Sequence, residues 1–407
     1  MQRLRISLRR FRQSRSGNIA IVTAIALPML IGFCGLGGDV GYWYYRQRVI
    51  QAAADVAAYD ATVALRGGAS STAVTDTATQ AAIQNGWDSS SGTIIVNTPP
   101  DSGTYQNAQS VEVLLNENEP RFFTSLFSQS EVTEASRAVA TFVYQPNACM
   151  LALNENASGA MTFWGNASVN FVNCNAVSNS LAADGFALGG AASLTTACVS
   201  SAGGASVSGA LNLTDCSRVL TNAPQAVDPY ASVPAPEMPE DCTEASDSSY
   251  SPGLYCGGLS INGTANFAPG VYVISGGTFK VNAGAMVSGS GVTFYLTNGA
   301  TLSFDGNATL NLSAPTSGTY AGLLFFGDRT QANATNTING NANTQMSGAI
   351  YFPSQNVRFL GNFTGSNGCL QVVASTIYYT GSASFQANCV GSGLASIQVP
   401  GAVSLVE

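Results

Sequence analysis

A five-residue pattern, apolar-x-small-x-small, returns eight times after Pro146, and the distances between its copies constrain the fold more than any other feature of the chain. The copies begin at Phe163, Val207, Ile261, Val281, Phe304, Ile338, Phe359 and Tyr379, at intervals of 44, 54, 20, 23, 34, 21 and 20 residues. Intervals near 20, with one near twice that, match single coils of a parallel β-solenoid carrying insertions where the interval swells. Between copies lie short β-branched or aromatic runs (271–274, 292–296, 322–326, 349–352 and 371–379) bounded by Gly, Asn and Ser, with no helical period. From Tyr250 to Glu407 only Lys280, Asp305, Asp328, Arg329, Arg358 and Glu407 are charged, so Asn, Ser and Thr must keep the surface wet. Stacked coils let Asn side chains bond along the axis in ladders, which gives that choice a physical reason. The expected fold class is therefore all-β, a right-handed parallel β-helix with a first part at 146–222 and its main part at 250–407; a β-sandwich is the rival. The segment 223–249 between them holds Pro224, Pro229, Pro234, Pro236 and Pro239 beside an acidic cluster. It reads as an extended surface excursion or linker and not as a core element.

The amino terminus has a different character. Arg3, Arg5, Arg9, Arg10, Arg12 and Arg15 precede an 18-residue run without a charge, 19–36, which Gly37, Gly38 and Asp39 close. As a helix that run is about 27 Å long, close to the roughly 30 Å of a hydrocarbon core, so 19–38 is expected to be a single transmembrane helix. Pro28 is tolerated in such a segment. The arginines place 1–18 in the cytoplasm and everything past Asp39 outside. A cleaved secretory signal is the rival, because Gly35-Leu36-Gly37 offers a small-x-small site. Lipoprotein and twin-arginine signals fit poorly, since Phe33 precedes Cys34 and Phe11-Arg12 follows Arg9-Arg10.

Helical spacing continues beyond the run through Leu36, Val40, Trp43, Ile50, Ala54, Ala57, Ala61 and Ala64 to a stop at Arg66-Gly67-Gly68. Small side chains along that stripe permit close approach by a partner helix, or by a sheet of the chain's own domain. Residues 69–145 alternate in type: a helix over 71–86, strands at 93–97 and 110–116, a short helix around 120–127 and a strand over 132–144. Together with the long helix they predict a small α+β domain over 39–145.

Composition removes whole classes of chemistry. The chain has no His, which excludes Ser-His-Asp triads, Cys-His dyads and His-ligated metals. Net charge is −8, and setting aside the six N-terminal arginines the remainder carries 9 − 23 = −14. Phosphate backbones would repel such a body, so no nucleic-acid partner is expected. Neither a cofactor nor a metal is implied. Cys34 sits in the apolar run; Cys149, Cys174, Cys198, Cys216, Cys242, Cys256, Cys369 and Cys389 form an even set on the outer side, as an oxidising compartment allows. Candidate pairs are 149 with 174, 198 with 216, 242 with 256, and 369 with 389, the last 20 residues apart and so one coil apart. No CxxC motif is present.

The run from Ser16 to Leu65 resembles the N-terminal region of the TadG-like (TadE/TadG-like) Flp pilus-assembly family. The resemblance rests on the arginine-rich start, Gly17-Asn18 before the span, Pro28 within it, Asp39 just beyond it, and then Arg48, Ile50, Gln51, Ala53, Asp55, Ala57 and Ala58. It implies a pilin-like layering of helix on sheet, and a role in the Flp, or tight-adherence, pilus system. Related pseudopilins are cut after a Gly with a Glu five residues on, whereas Val22 stands five beyond Gly17, which favours an uncleaved anchor. Asp247-Ser-Ser249-Tyr-Ser251 formally matches the Asp-x-Ser-x-Ser adhesion pattern that some TadG-like proteins carry, but it follows a Pro- and acid-rich stretch and not an apolar strand, and is read as chance.

The expected function is that of a non-enzymatic, membrane-anchored structural or assembly protein of the bacterial inner membrane. Its partners would be the membrane and other Tad/Flp pilus secretion components. The alternative is a tethered adhesin or carbohydrate-binding module that meets surface glycans or a host or biofilm matrix through an Asn- and aromatic-rich face. A polysaccharide-acting enzyme is a third reading, resembled at fold level only; Lys280, Asp305, Asp328 and Arg329 are the pieces it could use. The Asn-x-Ser/Thr sites at Asn262, Asn307, Asn311, Asn333 and Asn362 are expected to serve turns.

Overall fold

The computed structural model describes residues 17–244, 248–341, 344–386 and 391–407, with backbone only at 17–18, 145–147, 362–368 and 383–386. The chain divides into two compact units, Met1–Val143 with Ala402–Glu407, and Tyr144–Gly401. The last six residues, expected within the solenoid, thus group with the N-terminal unit: the backbone of Glu407 bonds to that of Val139, and its carboxylate meets Arg137.

In the N-terminal unit one helix, α1, runs unbroken over Gly17–Arg66 with Pro28 inside it. Its first part is apolar on every side, exposed at Ile19, Ile25, Met29, Ile31 and Phe33, and is long and apolar enough to cross a membrane. From Ile50 onward its character turns amphipathic. Ala53, Ala54, Ala57, Ala58 and Ala61 are fully buried, against a second helix, α2 (Ser71–Gln84), and a three-stranded antiparallel sheet. That sheet consists of β1 (Gly92–Asn97), β2 (Ser110–Glu119) and the start of β3 (Val132–Ala152), paired β1–β2–β3. Methyl side chains let the helices approach closely, so the small-residue stripe packs within its own unit, while Leu36 and Val40 stay exposed. Ser70 caps α2 by accepting the Ala73 N–H at 3.3 Å.

The second unit is a β-solenoid of about ten coils, every inter-coil pairing parallel. Each coil contributes to three sheets. The first includes 150–152, 176–178, 271–275, 292–297, 349–351 and 372–374. The second includes 161–163, 186–188, 278–281, 301–304 and 377–379, and the third 168–172, 193–196, 286–290 and 309–313. The first apolar residue of every sequence repeat occupies one column of the second sheet. Register pairs Ile261 with Val281, Val281 with Phe304, Phe304 with Ile338, and Ile338 with Phe359. Phe359 stacks on Tyr379 at 5.2 Å between ring centres, Tyr379 pairs with Phe163, Phe163 with Leu188, and Leu188 with Val207. Leu188, which opens Leu-Gly-Gly-Ala-Ala, is the copy hidden in the 44-residue interval. At the corner after this position two of the coils approach closely: a Cβ at Gly381 would lie 1.4 Å from the Gly361 carbonyl oxygen one coil away.

Spatial order is a rotation of sequence order. The chain joins the stack in its middle, at Ala148, and builds outward to Leu220; it then returns to the opposite end at Cys242 and fills the remaining coils until 372–386 lie against 150–172. The two expected solenoid parts therefore share one core. The Pro-rich segment makes the return journey. Ala226 exchanges two 2.8 Å bonds with the Asn179 side chain, Tyr230 reaches Gln371 at 2.6 Å, Met238 lies beside Asn298, and Cys242 pairs with Cys256. It crosses the outer side of the first sheet, where Leu151, Val177, Val273, Tyr295, Phe326, Tyr351 and Val373 form a second apolar layer with Ala226 and Tyr230. Expected as a linker outside the core, the segment is partly core itself, since Tyr230 is 2% exposed. Disulfides Cys149–Cys174, Cys198–Cys216 and Cys242–Cys256 tie adjacent coils near the middle and close to both ends. Cys389, the expected partner of Cys369, and Asp247 lie outside the described residues.

Arg329 pins the strap. Its guanidinium lies over the rings of Phe326 (4.9 Å) and Tyr351 (5.4 Å) and donates to the Tyr230 carbonyl at 2.7 Å, while the Tyr351 hydroxyl donates to Asp228 at 2.8 Å. Removing a buried aromatic side chain costs about 3–5 kcal/mol. Tyr230→Ala should accordingly lower the solenoid's unfolding midpoint and expose the strap to limited proteolysis, with cleavage mapped by mass spectrometry between 223 and 242.

Candidate functional site

Polar side chains on α1 fasten it to the sheet and to the loop after β2. Asp39 is fully buried. Its carboxylate accepts the Phe123 N–H at 3.1 Å, the Thr124 N–H at 2.7 Å and the Thr124 hydroxyl at 2.6 Å, the open end of the 3-10 turn Thr124–Leu126. One turn on, the Trp43 indole donates to the Pro120 carbonyl at 3.1 Å. The amide of Gln47 donates to the Ala135 carbonyl at 3.0 Å; that of Gln51 donates to the Arg137 carbonyl at 3.0 Å and to Asp55 at 2.9 Å. Thr62 closes the series, bonding to Ala58 and Ala140 carbonyls.

The expected motif residues therefore do not converge on one pocket. Asp39 and Asp55 are separated by about 24 Å along the helix. Arg48 is exposed and turns back onto Tyr44, donating to its hydroxyl at 2.7 Å. Pro28 lies in the apolar stretch, Gly17 opens the helix, and the side chain of Asn18 lies outside the described residues. Asp39 and Gln51 hold α1 to the loop and the sheet, whereas the contacts of Arg48 and Asp55 stay on the helix.

Two charge clusters were missed in the sequence. Arg46 bonds to both Glu117 and Glu119, which sit two apart on β2 and so share a face. Arg137 bonds to Glu112 at 2.6 Å and Glu407 at 2.5 Å. The alternating acids of β2 were a readable signal, but their cations come from other elements. Burial pushes the Glu117 carboxyl above its usual range despite Arg46, with Glu119 adding to the rise, and one of its oxygens has no partner. Burial would also raise Glu112, but bonds from Asn97, Arg137 and the Asp101 N–H outweigh it and leave that carboxyl below the usual range.

Breaking a buried pair by removing one partner costs about 3–5 kcal/mol, so Arg46→Ala should lower the denaturant midpoint of the N-terminal unit, followed through the buried Trp87. For Glu112, whose folded pKa is depressed, the stabilisation is complete above the unfolded value of about 4.3 and is lost as pH falls through the folded value. An acid titration followed by Trp87 fluorescence should show this unit loosening below about pH 4.

In the solenoid, the pieces available to an enzyme sit at different corners. Lys280 points outward on the second sheet and Asp305 occupies the turn beyond it. Asp328 and Arg329 follow the first sheet, where Asp328 accepts from Thr297 (2.7 Å) and from the Thr330 N–H and hydroxyl (2.8 Å each). Arg329 is spent on the strap. Among the described residues no group of three or more Cys, Asp or Glu could hold a metal ion. The polar surface forms ladders between coils: Asn282 donates to Asn262 at 2.8 Å, Ser288 to Asn266 at 2.6 Å and Thr376 to Asn356 at 2.7 Å. The repeat aromatics face inward: Phe163, Phe279, Phe294, Phe304, Phe359 and Tyr379 are buried, and Trp164 is half-exposed.

Residues 17–70 match the Tad family model, described as Flp pilus-assembly TadE/G-like. No curated protein and no solved structure matches the chain.

Proposed function

We propose that this chain is a membrane-anchored, non-enzymatic assembly or structural protein of the Flp pilus system. In this reading residues 1–18 are cytoplasmic, 19–38 span the bacterial inner membrane, a pilin-like α+β domain follows, and the solenoid works outside. One observation carries it: the family match at 17–70 coincides with the single helix that begins apolar on all sides and ends as an amphipathic, sheet-packed rod. The six arginines before the span support the orientation. The disulfides Cys149–Cys174, Cys198–Cys216 and Cys242–Cys256 support an oxidising compartment for the solenoid.

The glycan-binding alternative leaned on an aromatic-rich face. Most of the described rings turn inward and leave that surface mainly to Asn, Ser and Thr, with Trp164 half-exposed among them, and this scarcity of flat platforms on which sugars stack favours the scaffold. On spheroplasts carrying the full chain with a tag at each end, protease should remove the C-terminal tag and spare the N-terminal one. Pilus secretion components should co-purify with the detergent-extracted protein. A protected C-terminal tag would overturn the topology; retention on a glycan array without pilus partners would favour the adhesin.

A further inference from the structure

Residues 120–127, Pro-Arg-Phe-Phe-Thr-Ser-Leu-Phe, expose four large apolar side chains: Phe122 at 54%, Phe123 at 62%, Leu126 at 83% and Phe127 at 85%. So much apolar surface on one short loop marks an interaction site. The loop folds back along α1. Phe123 packs onto Gly35, where a Cβ would meet its side chain at 2.9 Å, and lies over Gly38. A cavity of about 850 Å³ separates the loop from 27–36, lined by Leu27, Pro28, Ile31 and Leu36 on the helix and by Leu126 and Phe127 opposite. The contact extends over about 13 Å of helix.

Two further features fit a place in hydrocarbon. Backbone polar groups entering a bilayer must be satisfied within the protein. Asp39 takes the N–H groups of Phe123 and Thr124; the Phe127 and Ser128 N–H groups bond to the Thr124 carbonyl at 3.0 and 3.1 Å, and the Ser125 hydroxyl donates to the Phe122 carbonyl at 2.6 Å. A belt of the type found at membrane interfaces lies just above: Trp43 holds Pro120, the Arg121 guanidinium lies 5.3 Å from the Trp43 ring, Tyr42 packs on Phe122, and Tyr44 and Tyr45 are exposed.

We infer that the loop 122–127 inserts into the outer leaflet beside the span, with lipid acyl chains filling the groove between them. The inference rests on the membrane reading proposed above: if 27–36 lies in the bilayer, Leu126 and Phe127 lie at the same depth. The helix lining the groove carries no charge, and the one polar lining residue, Thr124, already donates its hydroxyl to Asp39.

The test uses the full chain in phosphatidylcholine vesicles with one environment-sensitive fluorophore. It is attached to Phe127→Cys or, separately, Leu126→Cys, each combined with Cys34→Ser, and as reference to the native free Cys34, which is exposed on the span. Either loop label should be quenched by doxyl-labelled lipid as strongly as the Cys34 label and be spared by aqueous iodide. Iodide quenching of both loop labels, with Cys34 still quenched by lipid, would overturn the insertion and leave the anchor intact. Iodide quenching at Cys34 would bring down the membrane reading itself. Disulfide-linked dimers of the unlabelled Phe127→Cys chain, together with a Leu126→Cys label that doxyl-labelled lipid fails to quench, would assign the groove to a second copy and likewise overturn the lipid assignment.

Discussion

A parallel solenoid grows in one direction, and a chain that enters such a stack in the middle cannot complete it without travelling back along its length. That constraint organises the second unit. Once the coils from Ala148 to Leu220 are laid down, the open rung left at 150–172 must be met from the other side, so the polypeptide has to reach the far end first. The Pro-rich strap is the necessary path, and proline suits it: an extended segment that joins no sheet loses nothing by lacking N–H donors.

The return path explains a pattern that looks odd strand by strand. In the second and third sheets burial alternates, as in Thr301–Phe304 and Thr309–Ser313, because one side meets the core and the other water. Strands Val292–Thr297 and Leu323–Gly327 are buried at every residue. Sheets covered on both faces read as continuous apolar runs. Here the core lies on one side, and the strap with Ile397 and Val399 on the other.

The repeat itself was legible because its first residue has one job, to fill the same column in every coil, and its following positions must be small where backbones approach. Leu188 was missed although Leu-Gly-Gly-Ala-Ala keeps the pattern in full, small at its third and fifth positions. The order of the coils was not legible, since a column of equivalent positions looks the same whichever coil comes first. Nor was the strap's burial: Tyr230 has no periodic neighbours, and its partners Gln371, Tyr351 and Arg329 are about a hundred residues away or more. In the N-terminal unit the elements were readable from local pattern, with helix α2 and strands β1 and β2 near their expected limits. The ion pairs were not, because Arg46 and Glu117 share no local sequence logic.

Asp39 shows why a motif residue can be a matter of folding more than of chemistry. Three donors converge on it, two backbone N–H groups and one hydroxyl, and none of its contacts donates in the opposite sense. An ionised carboxylate is acceptor-only and can take all three; an Asn would have to aim its own NH₂ at a site that offers hydrogens. Bonds from N–H groups to an anion are also about twice as strong as neutral ones. The negative charge at the end of an apolar run is thus the counterpart of an exposed 3-10 turn, and its place in the sequence follows from where the loop after β2 must rest on the helix.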